Sequence, residues 1–86
     1  MATKRDHVRG QLNGLRSDMA ELSKKKPDDA VNKFKLGVIN SLIVEANAIL
    51  NDRQPIKDFQ QFDEISLPTN SDVMVVLTQY VRALVS

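Results

Sequence analysis

Apolar residues recur along this chain at spacings of three and four, the period of amphipathic helices. The first such run is Val8, Leu12, Leu15, Met19 and Leu22, at intervals of 4-3-4-3. That is a two-per-heptad seam, narrower than the stripe of an ordinary globular helix and suited to contact with one neighbour. The pattern predicts a helix over 3–24. Gly10 and Gly14 lie away from the seam, and each costs about 1 kcal/mol of helix propensity. This helix is expected to be weak without its partner.

A second helix is predicted over 28–51. Pro27 followed by Asp28 and Asp29 is a start signal, because proline suits the first turn and carboxylates suit the positive end of the helix dipole. Asn51, Asp52 and Pro55 form the stop. Its apolar positions, from Phe34 and Val38 through Leu42 and Ile39 to Ile43 and Leu36, fill an arc of roughly 200°, wider than the stripe of a surface helix. Gly37, Ser41 and Ala48 add a strip of small residues. This helix is expected to be the central one. Lys35 and Glu45 fall inside its apolar arc, and a charge there must be paired or stand at an edge. Asn40 and Asn47, seven apart, sit at its margin, either solvated or bonded across an interface that they would hold in register.

Residues 53–68 form a long connector bearing Pro55, Ile56, Phe59, Phe62, Ile65, Leu67 and Pro68. A short helical turn is expected at 56–62, with the two phenylalanines plugging one end of a bundle. Long ordered connections are often functional. A third helix is predicted over 71–85, where Thr69 and Asp72 fit a capping box and Val73, Val76, Leu77, Tyr80, Val81 and Leu84 share a face.

The expected fold is therefore all-α: a small bundle of three main helices plus a short helical turn, one helical domain over 1–86. The second and third helices are expected to be antiparallel, with the first laid against them. Three helices of this kind leave apolar surface uncovered on the second and third. Completion by homo-oligomerisation, as a homodimer or higher, is the expected remedy, since two-fold dimers are the commonest oligomers.

Composition narrows the function. The chain has 86 residues and no cysteine, which removes disulfides, thiolate metal sites and cysteine nucleophiles. No run approaches the roughly 18 apolar residues of a membrane span, and Met1–His7 is polar, without the apolar core of a signal peptide. A cytoplasmic protein with no membrane association is expected. His7 is the only histidine, too few for a standard transition-metal site and with no partners for a catalytic triad. Asp58, Asp63 and Glu64 lack the glycine and alternating oxygen ligands of a calcium loop. No glycine-rich phosphate loop is present among three glycines. No enzyme activity, metal or cofactor is expected.

Charge is uneven. Residues 1–35 carry nine basic against five acidic residues, and 36–86 carry three against six. Arg5, Arg9 and Arg16 fall on one flank of the first helix, a surface suited to an anion or an acidic partner. Val44, Met74 and Val75 are the candidate partner-binding residues. Val44 and Val75 project away from the main apolar arcs, so each should face solvent in a monomer. The expected function is a non-enzymatic protein-interaction module, a small stoichiometric regulator or inhibitor acting through an apolar helical surface on itself and another protein. The alternative is a nucleic-acid-binding protein that uses the basic N-terminal helix.

Overall fold

The computed structural model describes residues 3–85; residues 1, 2 and 86 of the expected 1–86 domain lie outside them. Among the described residues the fold is all-helical, with helices α1 (Lys4–Lys25), α2 (Lys33–Leu50) and α3 (Asn70–Val85), and a 3-10 turn at Asn51–Arg53.

Each helix begins at a side-chain cap. Thr3 and Asp6 form a reciprocal capping box on α1: the Asp6 N–H donates to Thr3 Oγ1 at 3.1 Å, and the Thr3 N–H donates to Asp6 Oδ2 at 3.2 Å. The bond from the Thr3 backbone holds the Asp6 carboxyl below the usual carboxylate range. Asn32 caps α2 through the Lys35 N–H, and Thr69 Oγ1 accepts from the Asp72 N–H at the start of α3. The start of α2 is later than Pro27–Asp29 suggests. Residues 27–31 are drawn instead into backbone pairing with the chain before α3: Val31 N–H donates to Pro68 O, Asn70 N–H to Asp29 O and Ser71 N–H to Pro27 O.

The helix directions correct the sequence reading. The start of α1 meets the end of α3, where Arg5 donates to the Leu84 and Ala83 carbonyls at 2.8 and 3.2 Å. The end of α1 meets the start of α3, where Asn70 Nδ2 donates to Lys26 O. The starts of α2 and α3 lie side by side at the bridge between Ala30 and Thr69, and further along Tyr80 reaches Asn47. So α2 and α3 run parallel, not antiparallel, and α1 runs against both. Nor is α2 the central helix. The most extensive interhelical contact is α1 with α3, then α1 with α2, while α2 and α3 touch least. The narrow seam of α1 serves two neighbours because Val8, Leu12 and Met19 are fully buried while Leu15 and Leu22 are half-buried at its edges.

Parallel neighbours need a connection that returns along the bundle, and this is what residues 54–69 supply. The connector runs back beside α2, held by two buried asparagines. Asn47 Nδ2 donates to the Phe59 and Gln60 carbonyls at 3.0 and 3.4 Å, and its Oδ1 accepts from Tyr80 Oη at 2.7 Å. Asn40 makes a two-way bond with the Phe62 backbone, accepting from its N–H at 2.9 Å and donating to its carbonyl at 3.0 Å, and also donates to Glu64 Oε2 at 3.1 Å. These asparagines therefore hold register within the chain. Phe62 is buried, and Phe59 meets it edge-on at 5.2 Å and lies 6.4 Å from Tyr80. The phenylalanines fill the side of the bundle where α2 and α3 stand apart, instead of plugging an end. The helical turn falls at 51–53, directly after α2; residues 56–59 form only a single turn, Phe59 N–H to Ile56 O.

Two outcomes are expected. Asn40→Ala and Asn47→Ala each strand buried backbone or phenol groups, which should cost about 1–3 kcal/mol apiece in urea unfolding followed by circular dichroism. Tyr80, the only tyrosine, has its phenol pushed above the usual value of 10.0 by burial, with the Asn47 hydrogen bond opposing. A raised acid in the folded state leaves stability intact below pH 10 and removes it as pH rises through the folded value. Absorbance titration at 295 nm should show ionisation above pH 10, and Tyr80→Phe should lessen the alkaline loss of stability.

Candidate functional site

The side of α2 left open between α1 and the connector carries Phe34, Gly37, Val38, Ser41, Val44 and Ala48, with Glu45 on its α1 rim, a ribbon set by the 3.6-residue period. Phe34 is 81 % exposed, Val44 50 % and Val38 39 %. The apolar arc of α2 is thus only partly inside: Leu36, Ile39, Leu42, Ile43, Ala46 and Leu50 are buried, while Phe34 and Val38 are left to solvent. Ile65, among the described residues the most exposed large apolar side chain at 91 %, follows Glu64 in the connector.

Three shallow depressions border this ribbon. The first is lined by Lys33, Phe34, Gly37, Val38, Ser41 and Glu64. The second lies between α2 and the connector and includes Val44, Glu45, Gln61 and Glu64. The third lies between α2 and α1, with Gly14, Leu15, Asp18, Val38 and Leu42. Glu45 and Glu64 share the second depression, but each has another partner. Glu45 pairs with Lys4 at 3.8 Å on a half-exposed rim, the edge position expected of a charge in the apolar arc, and within one chain. Glu64 accepts from Asn40, and Ser41 Oγ donates to the Gly37 carbonyl. Lys35, the other charge in that arc, is half-buried.

The remaining candidates do not gather into one site. Val75 is 59 % exposed on α3, but Asp72, Gln79 and Arg82 share its face, so it is a single apolar residue of the kind any surface carries. Met74 is half-buried against the core, and its Sδ accepts from Thr78 Oγ1 at 3.7 Å. The arginine flank of α1 is divided: Arg5 caps the carbonyl end of α3, Arg9 pairs with Asp6 at 3.5 Å, and Arg16 bonds Asn13 at 3.0 Å. Sequence reading missed Phe34 and Val38 as surface residues because the hydrophobic period assigns them to the core; only the connector's course beside α2 shows which side of the helix is left open.

Among the described residues no cluster of three or more histidines, cysteines, aspartates or glutamates is placed to hold a metal, and no helix is long and apolar enough to cross a membrane. Comparison with family models, curated proteins and solved structures finds no match.

The arginines should separate in a stability series. Arg5→Ala removes a charged donor from the last turn of α3 and should cost about 1–2 kcal/mol. Arg9→Ala and Arg16→Ala remove local surface contacts and should each stay within about 0.5 kcal/mol of wild type in the same unfolding assay.

Proposed function

We propose that this chain is a non-enzymatic protein-interaction module, a small stoichiometric regulator or inhibitor that docks on other proteins and on itself through the outer ribbon of α2. One observation carries the reading: Phe34, Val38 and Val44 stand open to solvent on a single face of a helix whose opposite face is fully buried. Burying a phenylalanine on association is worth about 1.5–3 kcal/mol, and aromatic anchors dominate the energetics of protein interfaces. The neighbours on that face, Gly37, Ser41 and Ala48, are small enough for a second backbone to come close. Docking of a helical face on a partner reads through anchors one turn apart, which Phe34 and Val38 provide.

The reading narrows the candidate residues to Val44 on α2, joined by Phe34 and Val38. The test compares Phe34→Glu/Val44→Asp with Val75→Asp. Both variants change exposed residues and should keep the wild-type helical content. The α2 double variant should lose self-association, measured by light scattering after size exclusion, together with capture of protein partners. Val75→Asp should retain both. If the α2 double variant matches wild type in both assays, the ribbon is not the docking surface.

A further inference from the structure

Resting on that reading, we infer that the occupant of the α2 ribbon is a second copy of this chain, paired antiparallel about a two-fold axis at Ser41. The argument is the arrangement of the ribbon itself. Gly37, Ser41, Val44 and Ala48 are spaced 4-3-4, and Phe34, Val38, Ser41, Glu45 and Ala48 are spaced 4-3-4-3, both the rhythm of a helix-pairing seam. The ribbon is also complementary to its own reverse. Phe34 lies seven residues before Ser41 and Ala48 seven after, so an antiparallel copy sets the largest side chain of the seam against one of the smallest. Val44 of the second copy falls within about 1.5 Å along the axis of Gly37, on the same side of the seam, and fills the notch left by the missing side chain. A parallel pairing would instead stack Phe34 on Phe34 and leave that notch empty.

Charge follows the same register. Lys35 and Glu45 lie on the α1 side of the seam, six residues before and four after the centre. In the antiparallel copy they come within about 3 Å of each other along the axis, so the cationic start of one α2 runs beside the end of the other that carries Glu45, which already meets its own Lys4. The α2 dipoles oppose, whereas a parallel pair would align them. From Phe34 to Ala48 the seam is about 21 Å long, which places the pairing among small, reversible interfaces rather than obligate ones.

Because the chain has no cysteine, a single introduced one reports position without background. Sedimentation equilibrium up to about 1 mM should show reversible dimerisation of the wild type, weakened about tenfold or more by Phe34→Glu. On mild oxidation Ser41→Cys should form a disulfide dimer, since a two-fold axis brings this position onto itself, while Val75→Cys on α3 should not. A wild type that stays monomeric throughout overturns the inference. So does a dimer that Phe34→Glu leaves intact, or equal cross-linking at positions 41 and 75. A monomer whose capture of protein partners is lost in Phe34→Glu would remove only the second copy as occupant. Loss of neither self-association nor capture would remove the docking reading as well.

Discussion

Two amide side chains decide the shape of this protein. Asn40 and Asn47 sit two helical turns apart on α2 and hold a stretch of chain that has no regular structure of its own. An irregular segment cannot be buried unless its backbone groups find partners. These asparagines supply them, so Phe59 and Phe62 can enter the core beside Tyr80. The connection is self-consistent: the apolar rings bury the amides, which strengthens their bonds, and the amides fix where the rings go. Among the described residues no buried side-chain polar atom lacks a partner.

From that constraint the rest of the arrangement follows. A connector lying along α2 delivers α3 to the same end of the bundle at which α2 begins, so the two run parallel. It also fills the space between them, which explains why α2 and α3 touch so little and why α1 becomes the shared element. With α1 on one side of α2 and the connector on the other, only one ribbon of the helix is left open, and it carries Phe34, Val38 and Val44. The surface on which the proposed function rests is thus a by-product of how the connector is routed.

The local structure was legible in the sequence because it depends on near neighbours. Helix period gave the three helices, the Thr69 and Asp72 pattern gave the start of α3, and the exposure of Val44 and Val75 followed from their angular positions. What was hidden depends on contacts between distant residues. Asn40 and Asn47 could be solvated, interfacial or core residues, and their sequence spacing is the same in each case. The false start at Pro27–Asp29 shows the same limit, because pairing of Val31 with Pro68 overrides a good local signal. The candidate site was half legible. Val44 belongs to the open ribbon, but the arginine flank dissolves once Arg5 is seen to turn toward α3.

The far-end partnership of α1 bears on how the chain is made. Its main packing surface, α3, is the last helix in the sequence, and the residues joined by Arg5 and Leu84 are 79 positions apart. During synthesis α2 and the connector emerge with their asparagine contacts close at hand, while the first helix lacks its main packing surface until α3 has emerged. Contacts of such separation slow the search for the native state, and an amphipathic segment kept waiting is open to chaperones and to other nascent chains. Of the three helices, the first to be made waits for the last.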